Sequence, residues 1–153
     1  MSTTTSNGLG SVVSLRRYPV KSMMGEDLNA VDVTQRGLLG DRAFALVDRA
    51  TGKIASAKNP RKWSGLFDCH AAFVEPPRQG AKFPPVRIAL PNGETATTDR
   101  GNLEQLLSDL FGREVTLASA APETPSLEEY WPDMDGLANR EVVTDESMPP
   151  GTF

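Results

Sequence analysis

Apolar positions recur with a period of two through most of this chain, and the helical period of about 3.6 takes over in a single stretch. From Val12 the pattern sets Val13, Leu15 and Arg17 on one face against Val12, Ser14, Arg16 and Tyr18, which predicts a first strand. Met23-Met24-Gly25 then turns the chain, and Leu28 to Thr34 reads as a second strand with Val31 and Val33 facing inward. The third, Arg42 to Arg49, is apolar on both faces and is expected to be central. Thr51-Gly52 signals a hairpin into Lys53 to Ala57. Leu66 to Val74 alternates next, with Phe67, Cys69, Ala71 and Phe73 on its apolar face and Asp68 and His70 opposite. After a Pro/Gly loop from Glu75 to Pro85, Val86, Ile88 and Leu90 form a strand that Pro91-Asn92-Gly93 turns back into Glu94 to Thr97.

Leu103, Leu106, Leu107, Leu110 and Phe111 fall at i, i+3, i+4, i+7 and i+8, the stripe of an amphipathic helix over 102–111. Asp99 or Asn102 suits its start and Gly112 its end, and Val115 and Leu117 supply a last strand. The fold class predicted is α+β: a mainly antiparallel β-barrel of about seven strands with one amphipathic helix closing its open side. Residues 1–11 are Ser/Thr/Gly/Asn-rich and read as a disordered leader; 12–119 form the domain; 120–153, rich in Pro, Glu, Asp and Ser, read as an acidic Pro-rich linker.

Composition narrows the chemistry. The 153 residues are 39% hydrophobic, enough for one domain with a core. No run approaches the ~18 apolar residues of a membrane span, and the start lacks the parts of a signal peptide, so a cytoplasmic location without membrane contact is expected. A single cysteine and a single histidine permit neither an internal disulfide nor a closed Cys/His zinc site. Cys69 reads as a small buried hydrophobe, and His70 beside Asp68 as water-facing and without a catalytic role. Between residues 122 and 146, eight acids stand against Arg140 alone, or −7; the net charge of −4 then leaves +3 for the remainder. A mildly basic body suits a small anionic ligand and is too weak for duplex nucleic acid. One histidine, no G-x-S-x-G and no H-E-x-x-H exclude the common hydrolase constellations.

Two turns carry the candidate site. In Tyr18-Pro19-Val20-Lys21-Ser22, proline fixes its own φ and holds Tyr18 extended, so Lys21 and Ser22 sit at a rigid strand exit. In Arg36-Gly37-Leu38-Leu39-Gly40-Asp41-Arg42, two glycines flank a leucine pair before Arg42 opens the next strand. A lysine, a hydroxyl and a guanidinium are donors suited to phosphate or carboxylate. Cations at strand ends are also commonly no more than solvated surface charges, and the residues alone leave both readings open. The basic loop Lys58-Asn59-Pro60-Arg61-Lys62 divides the same way, with the solvated loop the more frequent case.

The run from Arg17 to Arg61, with its YPVKS motif, its G-x-x-x-DR motif and its TGK…NPR hairpin, resembles the N-terminal β-barrel domain that precedes the MOSC domain in bacterial MOSC proteins and mitochondrial amidoxime-reducing components. The resemblance extends over about residues 12 to 119. It implies an accessory domain of a molybdenum-cofactor (molybdopterin) oxidoreductase, in which Lys21, Ser22 and Arg42 contact the pterin phosphate and the domain shapes a substrate entrance. It further implies a MOSC domain following Phe153 as partner and source of the molybdenum-ligating cysteine, a small-molecule substrate and an electron-transfer partner. On that basis this chain alone is expected to be inactive as an oxidoreductase and to hold no stoichiometric molybdenum. The alternative from another class is a small β-barrel binding module for nucleic acid or carbohydrate. It requires exposed stacking aromatics, whereas Phe44, Phe67, Phe73 and Phe111 are expected in the core.

Overall fold

The computed structural model describes residues 8–119, 126–131, 142–147 and 153. The first pairing, β1 (Arg16–Arg17) with β2 (Glu26–Asp27), is set by charge: Arg16 stands opposite Asp27 and Arg17 opposite Glu26, each joined by an ion pair. The strand expected from Val12 shrinks to these two residues. Val12 and Val13 are 82% and 94% exposed, because alternation promises a face but cannot supply a neighbouring strand for it. Chain reversal between β1 and β2 depends on Gly25, where a Cβ would lie 2.1 Å from the Arg17 carbonyl oxygen. The second expected strand is likewise cut short, to a tight hairpin of β3 (Val33–Thr34) and β4 (Gly37–Leu38). Val33, expected inside, is exposed, since that hairpin projects past the core.

β5 (Ala45–Asp48) is the central strand foreseen, its Ala45 and Leu46 fully buried. The turn at Gly52 returns the chain so that Val47 bridges Ile54. Leu66–Asp68 is a 3-10 turn rather than the opening of a strand. Gly65 precedes it with φ +91° and rotates Phe67 outward, leaving it 62% exposed where the alternation had it buried. The strand proper, β6 (His70–Phe73), keeps Cys69, Ala71 and Phe73 inside as expected. Burial, and secondarily the Asp68 charge, pushes the Cys69 thiol up to about 11, and its Sγ lies 3.6 Å from the Gly65 carbonyl. It is a packing residue.

β7 (Val86–Ala89) pairs antiparallel with β6 and with β8 (Thr95–Thr97) across the Pro91-Asn92-Gly93 turn. α1 (Leu103–Phe111) buries Leu103 and Leu107 and half-buries Leu106, Leu110 and Phe111. Its start is uncapped by a side chain: Asn102 has helical dihedrals, and the Asp99 carboxylate accepts from the Thr97 hydroxyl instead. Gly112, at φ +63°, ends it as expected. Helix and last strand are stitched by side chains, Glu104 accepting from the Leu117 N–H and the Ser108 hydroxyl from that of Val115. That strand, β9 (Val115–Ala118), pairs antiparallel with β5.

Within the segment read as a linker, β10 (Ser126–Trp131) and β11 (Val142–Ser147) form an antiparallel ladder, and the Ser126 carbonyl accepts from the Ile54 N–H at 2.9 Å. The rest of the linker expectation lies outside the described residues, as does residues 1–7 of the leader. The architecture is mixed, with mostly antiparallel strands and one α-helix among the described residues. The expected seven-stranded barrel is not seen there: the ladders hold two or three strands each and do not close. Alternation fixes which residues face inward, whereas closure depends on which edges meet, and two of the ladders, β1–β2 and β3–β4, are only two residues long.

Trp63 organises one side of the core. It is buried, meets Phe111 edge to face at 5.6 Å and carries the Arg113 guanidinium over its ring at 5.1 Å. Beside it the buried Asp48 accepts from the Ala50 N–H at 3.0 Å and pairs with Lys62 at 2.6 Å, with Arg113 at 3.7 Å. Burial by itself would raise the Asp48 pKa; the Lys62 hydrogen bond, the Ala50 N–H and the two cationic charges outweigh it and hold the carboxyl below its ordinary 3.8. Lys62, expected in a loop of solvated cations, is therefore structural.

A depressed folded-state pKa contributes stability that is present above the unfolded value and lost as pH falls through the folded one. Urea unfolding should show wild type losing more stability between pH 7 and pH 3 than Asp48→Asn, whose own cost at pH 7 is roughly 3–5 kcal/mol. Leu107→Ala should cost about 2–5 kcal/mol in the same assay, independent of pH.

Candidate functional site

Pro19 has no N–H and holds its neighbours extended, so Tyr18 to Lys21 can lie alongside another strand without a turn of its own. The partner is Arg42 to Phe44, in parallel: the Arg42 N–H donates to the Tyr18 carbonyl (2.7 Å), the Phe44 N–H to that of Pro19 (3.0 Å), and the Lys21 N–H to that of Phe44 (2.9 Å). The two motifs are thus one structural unit at the backbone level. Arg42 is level with Tyr18, and Lys21 lies one position past Val20, an offset of three residues or roughly 10 Å along the pair.

Two residues of this unit stand out. Ser22 at φ +65° and Arg42 at φ +49° are the non-glycine residues with left-handed backbone among those described. Such a conformation costs a side-chain-bearing residue about 1–2 kcal/mol, and it persists where surrounding contacts impose it, often at ligand-binding positions. At Ser22 one such contact is visible: its Oγ accepts from the Ala57 N–H at 3.1 Å, tethering the start of the basic loop to the YPVKS turn. Being a hydroxyl, that group retains a proton to donate. At Arg42 the neighbour is Asp41, whose Oδ2 pairs with the guanidinium while its Oδ1 accepts from the Tyr18 N–H at 2.8 Å. The Arg42 side chain is 51% exposed, so much of its five-donor fork faces outward.

The turn that delivers Asp41 and Arg42 is held from beneath. Gly40, buried at φ +81°, packs where a Cβ would lie 2.7 Å from the Phe73 ring. Arg17, buried under the same ring at 4.8 Å, donates to the Leu39 carbonyl (3.2 Å) and pairs with Glu26 (2.7 Å). Arg17 and Asp41 were not singled out from sequence. An arginine inside a strand pattern and an aspartate before an arginine are too common to signal what they hold. Among the described residues there is no group of three or more His, Cys, Asp or Glu able to hold a metal ion. No helix there is long and apolar enough to cross a membrane.

The unit is a pair of strand ends on one hydrogen-bonded backbone frame, with the Arg42 side chain half exposed and the Ser22 hydroxyl tied to Ala57. Residues 9–62 match the family model of the MOSC N-terminal beta barrel domain. That stretch, about a third of the chain, is similar to the N-terminal part of MOSC proteins, and it contains Lys21, Ser22, Arg42 and the basic loop. The match ends at Lys62, short of residue 119, to which the motifs suggested that the resemblance extends. No curated protein and no solved structure matches the chain.

If the left-handed dihedral at Arg42 is imposed by its surroundings, Arg42→Gly should be more stable than Arg42→Ala by about 1 kcal/mol in chemical denaturation. Equal stabilities would show that the backbone there relaxes freely.

Proposed function

We propose that this chain is the accessory N-terminal domain of a molybdenum-cofactor-dependent MOSC oxidoreductase, and that Lys21, Ser22 and Arg42 bind the phosphate of the pterin cofactor. The observation that carries the reading is the parallel pairing of the two motif strands together with left-handed backbone at Ser22 and Arg42. It supports the reading by holding the three residues on one backbone frame, where they offer an anion a point charge, a hydroxyl and a planar fork. An offset of roughly 10 Å is within reach of a lysine and an arginine bending toward one ligand. The metal, the thiolate that ligates it and the redox step belong to a MOSC domain. This domain's own part is to bind and orient the phosphate and to shape the entrance for a small-molecule substrate and an electron donor. A cytoplasmic location accords with this role.

The nucleic-acid or carbohydrate alternative gains Phe67, now exposed. Stacking platforms use several aromatics along one face, however, and Phe73 is buried while Phe44 and Phe111 are half-buried in the core. The anion reading remains the better supported.

The test uses this domain joined to a MOSC domain in one polypeptide, with cofactor occupancy measured after gel filtration. A charge-assisted contact contributes about 1.5–3 kcal/mol, so Lys21→Ala and Arg42→Ala should each weaken cofactor retention roughly tenfold or more. Arg42→Lys should fare little better than alanine, because an ammonium cannot reproduce the fork, whereas Arg61→Lys should leave retention unchanged. Wild-type occupancy in both alanine variants would mean that the motifs are structural turns.

A further inference from the structure

Asp41 sits where a carboxylate is least expected beside an anion site. We propose that Asp41 is a positioning residue for that site, acting on the ligand through Arg42 and through the Tyr18 backbone; this rests on the anion reading above. Its two oxygens have separate partners: Oδ1 takes the Tyr18 N–H at 2.8 Å, and Oδ2 takes the Arg42 guanidinium. One side chain therefore fixes both motifs, since Tyr18 begins the strand that delivers Lys21 and Ser22. The carboxylate is itself mostly buried, at 19% exposure, and its approach is set by Gly40 against Phe73. The guanidinium, by contrast, is half in solvent and hangs from a left-handed residue. Without the carboxylate, an exposed arginine side chain samples many rotamers, and ordering it on ligand binding carries an entropic cost.

Two effects of Asp41 on a bound anion have opposite sign, which makes the inference decidable. A carboxylate a few ångströms from an anion repels it, so if charge alone mattered, removing Asp41 would raise anion affinity by at least roughly two- to fivefold, the effect at the dielectric of bulk water. If Asp41 preorganises the fork and the strand exit, removing it lowers affinity, by roughly five- to tenfold for one lost charge-assisted constraint. The ion pair uses one face of the guanidinium, and the remaining donors stay available to a ligand. The division of oxygens between two partners favours the second outcome: a carboxylate serving only to neutralise Arg42 has no need of the Tyr18 N–H.

The experiment titrates pyrophosphate into the whole 153-residue chain, isotopically labelled so that the Arg Nε–Hε signals report on Arg42. Asp41→Asn keeps an oxygen for the Tyr18 N–H and removes the charge; Asp41→Ser does so with a smaller group, should the first fail to fold. The expected result is a distinct Arg42 signal in the ligand-free wild type that collapses toward solvent-like values in Asp41→Asn. Pyrophosphate affinity should fall about five- to tenfold with it and recover in part in Asp41→Glu. In an Arg42→Ala background, Asp41→Asn should lower affinity far less, because part of the effect travels through Arg42. An Asp41→Asn variant that binds pyrophosphate as tightly as wild type or tighter overturns the inference while leaving the anion site standing. A wild type whose pyrophosphate response is unchanged by Lys21→Ala and Arg42→Ala removes the anion site itself, and the inference with it.

Discussion

Everything that gives this chain a candidate site depends on the parallel pairing of Pro19-Val20-Lys21 with Arg42-Ala43-Phe44. Parallel neighbours require a crossover, and here the chain spends it on β2 and the projecting β3–β4 hairpin before returning beside its own start. The return is fixed by contacts of unlike kind at its two margins. On the core side Val20 and Ala45 are buried, so a one-residue slip would expose apolar surface and bury charge. At the outer margin Asp41 holds the Tyr18 N–H, and Arg17 holds the Leu39 carbonyl from below.

The cations of the chain divide between those that build this frame and those that edge it. Arg17 is buried in an ion pair with Glu26, and Lys62 and Arg113 converge on the buried Asp48 beside Trp63. A buried charge with good partners adds less net stability than its geometry suggests, yet losing one partner strands the other in a low-dielectric setting. Such cations fix where strands and loops sit. Arg42 and Lys21 stand at the strand exits, and the Ser22 hydroxyl ties that edge to the loop that ends in Lys62. Structural and site-edge charges are consequently neighbours in sequence as well as in space, in a body whose charge excess is only +3 outside residues 122–146.

What the sequence determined by itself is what depends on local period and local turn chemistry. The stripe from Leu103 to Phe111, the Pro91-Asn92-Gly93 hairpin, the buried faces of β6 and β7 and the central position of β5 all follow from which residues neighbour which along the chain. So does the burial of Cys69. The positions of Lys21, Ser22 and Arg42 beside a proline turn and a glycine turn were likewise legible, whereas the left-handed backbone at Ser22 and Arg42 was not.

Tertiary structure alone decided the rest. Val12, Val13 and Val33 alternate correctly and lie exposed, because a strand needs an edge to pair with and no local signal says whether one arrives. Phe67 leaves the core through a 3-10 turn that a positive φ at Gly65 permits. Trp63, in a polar basic window, gives no periodic signal and becomes a core anchor because Arg113, some fifty residues on, returns over its ring. Shorter separations, 23 residues for Asp41 and Tyr18 and 14 for Lys62 and Asp48, hide those two contacts as well. A side chain's partner across the fold is chosen by which edges meet, and that is settled only when the whole core closes.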